Sequence, residues 1–496
     1  VRLRPPFAEI VIALSISILI TMIDLKNLTI SSAREHFAKK DFSARELAES
    51  YLKNIEEKNP EINAYLEVYD DVLSQADSAD KILQSDKSDI LTGIPLALKD
   101  NILVTGKKAT SASKILEGFV APYDATVITK LKKQSAVFLG RTNCDEFAMG
   151  GSTENSAFGV TKNPLDLSRV AGGSSGGSVA SVAMDGALCA LGSDTGGSVR
   201  EPSAFCGLVG LKPTYGGVSR HGLMAMGSSL DVIGPITKTV TDSEILFDAI
   251  KGADKMDATT FGENIYPKKD ATKKLKIGVP YHVLDQDGID PATKKNFEDS
   301  IKKLEALGFE TREIKLPNIG YSLAVYYILM PAEVSSNMAR FDGVKYGLHA
   351  EGGKDLLGDY LKTRGMGFGP EVRRRILIGT YVLSTGYYDA YYTKSLILRQ
   401  KISEDFVKAF AEVDAIATPT APYPAFKIGG KSDPLSMYLA DVFTVTANIV
   451  GLPAISLPSG LVPTAEKNLM PVGLQLMSPH ACENILFEIG KKFLGE

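Results

Sequence analysis

Five histidines and four cysteines are all that 496 residues hold of the two side chains most used for metal and redox chemistry. The cysteines, Cys144, Cys189, Cys206 and Cys482, form no CxxC pair and have no histidine at ligand spacing, which removes the common zinc and dithiol motifs. They read as buried thiols of a reducing compartment, and a cytoplasmic location is expected. Positive charge is also short: the net charge is −4 and the pI near 5.9, so the surface as a whole offers no field for nucleic-acid phosphates. GxxxxGK[ST] and strand-linked GxGxxG are both missing, which leaves no phosphate cradle.

Long apolar runs are scarce. The first, VRLRPPFAEIVIALSISILIT, starts as a signal peptide does, with Arg2 and Arg4 ahead of an apolar stretch. No A-x-A-like site follows Ile20, and Glu9, Ser15 and Ser17 break the run, which falls short of the roughly 20 residues that span a bilayer. Translation is expected to begin at Met22, with residues 1–21 an upstream extension and no membrane attachment. The competing expectation, an exported and membrane-anchored hydrolase, requires that extension to be kept.

What is present is the composition of a globular chain with a large core, 44% hydrophobic and 23% charged. Length alone allows about three domains. FSARELAESYL has Ser43 as N-cap, Glu46 three residues on and Phe42 set to staple Leu47, which predicts a helical N-terminal region. KLKIGVP reads as a strand and DPATKKNFEDSIKKLEALG as a helix capped by Asp290, with Pro291 in its first turn and Gly308 as stop. Phe297, Ile301 and Leu304 share one face of it, and FETREIKLP supplies the next strand. This is a βαβ unit, and it predicts an α/β architecture with parallel pairing. The polar stretch from about Lys251 to Lys274 is the best candidate for a boundary.

The segment AGGSSGGSVASVA, residues 171–183, packs four glycines and four serines ahead of small apolar residues. A linker would continue in Gly and Ser. Here SVASVAMDGALCALGSD reads instead as a small-residue helix pattern in which Ala180, Ala183 and Ala187 permit close packing. Gly173, Ser175 and Gly177 match a nucleophile elbow, GxSxG, which would need a late histidine; His480 is the one in a loop-like context near the C-terminus. The SxxK of Ser111 to Lys114 is short enough to arise by chance. A third reading joins the loop to two other stretches. GIPLALKDNI puts Lys99 at the end of an apolar run, where desolvation lowers a lysine pKa and makes the neutral amine a base. GSDTGGSVREPSAFCG puts Ser198 directly after Gly196 and Gly197, where backbone N–H groups can approach a developing oxyanion.

GGSSGGS, GSDTGGSVR and the upstream PLALKD together resemble the amidase signature family, whose members hydrolyse amides with a Ser-cis-Ser-Lys triad. The resemblance implies Ser198 as nucleophile, Ser174 as the cis-peptide serine that relays the proton and Lys99 as base, with Thr195, Gly196 and Gly197 at the oxyanion-hole positions; Ser175 becomes a supporting residue. It implies one amidase domain over residues 22–496, an α/β/α sandwich around a large mixed sheet. MIDLKNLTI, CDEFAMGGSTENSAFGVTKNP, SSNMARFDGVKYG, RRRILIGTYVLSTGYYDAYYTKS and NIVGLPAISLPSG narrow it, being similar to the A subunits of aspartyl/glutamyl-tRNA amidotransferases. That similarity implies L-glutamine as ammonia donor, its α-carboxylate held by Arg374, flanked by Arg373 and Arg375, and its α-amino group by Asp441. It further implies partner subunits B and C in a heterotrimer, no cofactor or metal in this chain, and ATP with Mg on the partner, which also holds most of the misacylated tRNA. His221 stands where that group leads one to expect tyrosine. A stand-alone amidase keeps the same triad without glutamine selectivity or partners, and a catalytically idle scaffold would tolerate loss of Ser198.

Overall fold

Most strands of this chain are four to six residues long, and eleven of the thirteen described strands assemble into one sheet. The computed structural model describes residues 23–267, 274–285, 288–431 and 433–496. The expected extension 1–21 and the start at Met22 lie outside the described residues. In chain order the strands are β1 (Tyr65–Val68), β2 (Pro95–Lys99), β3 (Val137–Thr142), β4 (Lys162–Asn163), β5 (Asp166–Val170), β6 (Cys189–Asp194) and β7 (Val209–Lys212). There follow β8 (Val232–Thr237), β9 (Lys276–Val279), β10 (Glu310–Glu313), β11 (Ala415–Pro419), β12 (Ala454–Pro463) and β13 (Leu469–Met477). Eleven of them form a mixed sheet in the order β1-β3-β2-β6-β8-β7-β12-β13-β11-β9-β10, and β4 and β5 pair apart from it.

Parallel pairing occurs where helices cross between strands: β2 with β3 and β6, and β9 with β10 and β11. Every residue of β2, β3, β6, β7, β8 and β11 is buried, as expected of strands covered by helices on both faces. The result is an α/β/α sandwich. Strands β12 and β13, from the end of the chain, lie between β7 and β11, so the sheet is completed only when the C-terminal segment returns to its middle. Residues 252–261 of the polar stretch pack back on the preceding turn, Gly252 N–H donating to Gly217 O at 2.9 Å.

Local rules account for most elements. The helix Ala44–Ile62 begins in a capping box, Ser43 accepting from Glu46 N–H while Glu46 caps Ser43 N–H; Phe42 packs edge-on to Phe37, ring centroids 5.5 Å apart. The helix Pro291–Ala306 has Asp290 as N-cap and buries Phe297, Ile301 and Leu304 against the sheet. One expectation is corrected. The small-residue pattern after Ser178 is helical only to Ala183; Asp185 turns into the left-handed region at φ 57°, and Cys189–Asp194 runs as β6. A wholly buried apolar segment carries no face periodicity, so helix and strand are not distinguishable there from pattern alone.

Asp290 Oδ1 accepts the N–H groups of Ala292 and Thr293 at 2.9 and 3.0 Å. Asp290→Ala is expected to lower stability by about 1 kcal/mol and Asp290→Ser to recover most of it, read as the shift of a urea midpoint. An unchanged midpoint in the alanine variant would show that the cap contributes nothing.

Candidate active site

Lys99 ends β2 with its side chain wholly out of solvent. Its Nζ lies 2.7 Å from Ser174 Oγ, 2.9 Å from Ser175 Oγ and 3.0 Å from Ser193 Oγ. Four neutral partners and no contacting carboxylate surround it, counting Ser193 O at 3.4 Å. Burial lowers its pKa to about 8, with the more distant Cys144, Asp145, Asp194 and Asp231 acting the other way. An amine in this state accepts a proton near neutrality, as a base must.

Ser174 is fully buried, and the Gly173–Ser174 peptide is cis. Its carbonyl accepts Asp145 N–H at 3.3 Å. Ser175 N–H donates to Ser198 O at 3.1 Å, which joins the serine loop to the turn Thr195–Ser198. Ser198 keeps 8% of its surface open, whereas Lys99, Ser174 and Ser175 keep none. Among these hydroxyls, that of Ser198 belongs to the residue a substrate can reach.

The turn before Ser198 approaches its neighbours too closely for side chains. Gly197 has φ 138°, and a Cβ there would collide with Thr444; one on Gly196 would come within 2.6 Å of the Tyr326 ring. Side chains brace it instead. Asp194 accepts from Gly197 N–H at 2.9 Å and Val199 N–H at 3.2 Å. Arg200 clasps the same carboxylate through Nη2 at 2.9 Å and Nε at 3.0 Å, neither side chain touching solvent. Burial opposes the charge on Asp194, yet the Arg200 guanidinium holds its carboxyl well below the usual range. The remaining Arg200 donors reach Thr444 O, Gln475 Oε1 and Asn448 Oδ1, so all five are used.

A cavity of about 320 Å³ has Arg374, Arg375, Glu371, Asp441, Tyr327 and Tyr438 in its wall, and Thr444 links it to this turn, its hydroxyl lying 2.6 Å from Gly196 O and 3.2 Å from Asp441 O. Arg374 is partly exposed and pairs with Glu371 Oε2. Arg375 is buried; its Nε donates to Glu371 Oε1 at 2.8 Å, and its guanidinium lies 5.6 and 5.7 Å from the Tyr327 and Tyr438 rings. Those rings stack at 3.9 Å. Tyr327 O–H donates to Asp441 Oδ2 at 2.7 Å. Burial pushes the Asp441 carboxyl up to about 7, against the Tyr327 bond and the nearby Arg375.

Lys99, Ser174 and the Ser198 turn thus come together, and Arg374 and Asp441 share one cavity. The oxyanion positions divide, since Gly197 N–H is committed to Asp194. The elbow and SxxK readings do not assemble: His480 bonds Val450 O at 3.1 Å, and Lys114 pairs with Glu117 at the surface. His221 stacks on Tyr123 at 5.1 Å. Ser193, Arg200, Glu371, Tyr327 and Tyr438 were not singled out by sequence. Ser193 and Arg200 lie inside quoted motifs, but the tyrosines and Glu371 give no local signal.

Arg200→Leu leaves the Asp194 charge buried without its partner and is expected to cost about 3–5 kcal/mol, seen as a lower urea midpoint or as insoluble expression. A loss below about 1 kcal/mol would remove the ion pair from its bracing role.

Comparison with known proteins places this geometry. The amidase family profile matches residues 46–487. The A subunit of glutamyl-tRNA(Gln) amidotransferase from Desulfatibacillum aliphaticivorans is 50% identical over 476 residues, covering 95% of this chain and 97% of that protein. The protein of the same name from Thermoanaerobacter pseudethanolicus is 49% identical, with 95% and 96% covered. The crystal structure of the glutamyl-tRNA(Gln) amidotransferase A subunit from Thermotoga maritima superposes with a TM-score of 0.76 at 42% identity, covering 95% of this chain and 94% of that one. A solved amidase superposes with a TM-score of 0.78 at 27% identity, covering 94% and 99%. With its sheet, its serine loop and its buried lysine in hand, the chain belongs to the amidase signature family.

Proposed function

We propose that this chain is the glutamine-hydrolysing component of a tRNA-dependent amidotransferase, releasing ammonia for conversion of Glu-tRNA(Gln) to Gln-tRNA(Gln), of Asp-tRNA(Asn) to Asn-tRNA(Asn), or of both. The observation that carries the reading is a fully buried lysine hydrogen-bonded to Ser174, beside an arginine–aspartate cavity suited to a free amino acid. Relatives about half identical over nearly their whole length bear the glutamyl-tRNA(Gln) amidotransferase name.

Neutral Lys99 draws a proton from Ser174, which takes one from Ser198. Ser198 Oγ attacks the side-chain amide carbon of glutamine, and negative charge gathers on the amide oxygen. Backbone N–H groups of Thr195, Gly196 and Ser198 face that charge, while Gly197 N–H keeps the turn in place through Asp194. Protons return along the same relay to the leaving nitrogen and ammonia departs. Water then cleaves the glutamyl–Ser198 ester, yielding glutamate and the free hydroxyl. Arg374 receives the α-carboxylate and Asp441 the α-ammonium; an arriving ammonium favours ionised Asp441, offsetting its burial.

The ammonia acceptor belongs to partner subunits B and C, with ATP and Mg on the former, which holds most of the tRNA. No helix among the described residues is long and apolar enough to cross a membrane, and residues 22–496 act as one domain in the cytoplasm. Support for assembly comes from an exposed aromatic and aliphatic face: Leu377, Tyr381, Tyr387, Tyr388, Tyr391 and Leu396 are all solvent-facing. Such composition is common in the cores of protein interfaces.

Ser198→Ala, copurified with B and C, is expected to lose glutamine-dependent amidation of Glu-tRNA(Gln) by about 10³-fold or more and to regain it with ammonium chloride. Wild type that hydrolyses varied amides without partners, and is indifferent to Arg374→Ala, would make this a stand-alone amidase. Full function in Ser198→Ala would reduce the chain to a scaffold.

A second outcome concerns pH. Lys99 must be neutral, and its folded pKa of about 8 lies below the ordinary 10.5; protonation therefore removes the base as pH falls. Glutamine kcat/KM is expected to rise with pH through about 8 and then level. A profile flat from pH 6 to 9 would discard Lys99 as the base.

A further inference from the structure

Helix Pro370–Val382 carries Glu371, Arg374 and Arg375, so the seating of its first turn decides where the guanidinium groups stand in the cavity. Its N-cap is Gly369, which has no side chain with which to cap. A carboxylate from 223 residues earlier does the work: Glu146 Oε2 accepts Gly369 N–H at 2.8 Å. Oε1 of the same group accepts the Ser113 hydroxyl at 2.5 Å. Glu146 is buried, and a Cβ on Gly369 would collide with Oε2. The two are therefore fitted to each other.

The residue before it holds another stretch of the cavity lining. Asp145 Oδ2 accepts Thr153 N–H at 2.8 Å, Oδ1 accepts Asn155 N–H at 3.1 Å, and Asp145 N–H donates to Ser174 O. Gly150, Gly151, Ser152, Glu154 and Asn155 line the same cavity as the arginines. Consecutive carboxylates thus grip the serine loop with its wall on one side and the arginine helix on the other.

We propose that Glu146 is a positioning residue that, through Gly369, sets the separation between the serine-loop wall and the Arg374–Arg375 helix, and so the fit of the amino-acid carboxylate of the substrate. This rests on the glutaminase reading above. The role is geometric. Burial pushes the Glu146 carboxyl up to about 7, against Ser113, Gly369 and Arg373, so the site accommodates the neutral acid, and a glutamine there keeps an oxygen for Gly369 N–H.

The test is glutamate release by the complex with its partners. Glu146→Ala is expected to raise the glutamine KM about tenfold with kcat within about twofold, and Glu146→Gln to restore KM to within about twofold. Gly369→Ala is expected to raise KM similarly, and the double variant Glu146→Ala/Gly369→Ala to be no worse than Glu146→Ala alone, because the collision is gone. Should Glu146→Ala not fold, Gly369→Ala carries the same measurement. An active wild type whose KM is unmoved in these variants, or which loses kcat and thermal stability at constant KM, overturns this inference alone. A wild-type complex that releases no glutamate overturns the glutaminase reading and this inference together.

Discussion

An ion pair without solvent contact, Asp194 with Arg200, is the constraint from which the site is built. Taking two charges out of water is expensive, and a buried pair is tolerable only if the remaining hydrogen bonds are made. They are made here, through Thr444, Gln475 and Asn448. Gln475 in turn donates to Thr418 Oγ1 on β11 and to Phe443 O. One guanidinium therefore links the end of β6, the middle of β13 and the segment after Asp441. The turn Thr195–Ser198 is shaped by side chains that meet only when the C-terminal strands have entered the sheet.

Lys99 shows the opposite treatment of charge a few residues away. It is as deeply buried as Arg200, but its amine meets hydroxyls rather than a carboxylate. A direct ion pair would lock the ammonium; the serines solvate it without fixing its proton, which is what the proposed role as base requires. The difference between about 8 for Lys99 and a firmly ionised Asp194 follows from that choice of neighbours. The Asp194 charge is permanent, and the Lys99 charge is free to change.

Sequence made the first half of this legible. An apolar run ending in lysine, two glycine-serine stretches and the capped βαβ unit each report local physics: desolvation, backbone close approach, N-cap chemistry. Where local signals end, so does legibility. The helix expected over residues 184–194 is absent, because Asp185 turns left-handed and the buried run Gly186–Asp194 has no solvent-facing side to set a period. The run RRR points to Arg374, but it does not tell that Arg375 is buried beside two stacked tyrosines while Arg374 is partly exposed, both lining the cavity. The Tyr327–Tyr438 stack joins residues 111 positions apart, and the Glu146–Gly369 contact joins residues 223 apart. Neither distance is encoded in any window of the chain.

In the glutaminase reading, the cavity gives a physical reason for such a site to favour an amino acid over a simple amide. Arg374 is paired with Glu371, and Asp441 is pushed up to about 7 by burial. A carboxylate alone must compete with Glu371 for the guanidinium, and an amine alone must ionise a reluctant Asp441. In the glutaminase reading one molecule brings both charges, so each offsets the penalty of the other: the ammonium holds Asp441 ionised, and the carboxylate occupies Arg374. Uncharged amides do neither and leave both groups as they were. In that reading selectivity comes from two groups that are individually unready for their partners and that reach the cavity from different elements, Arg374 from the helix Pro370–Val382 and Asp441 from the short turn Leu439–Asp441.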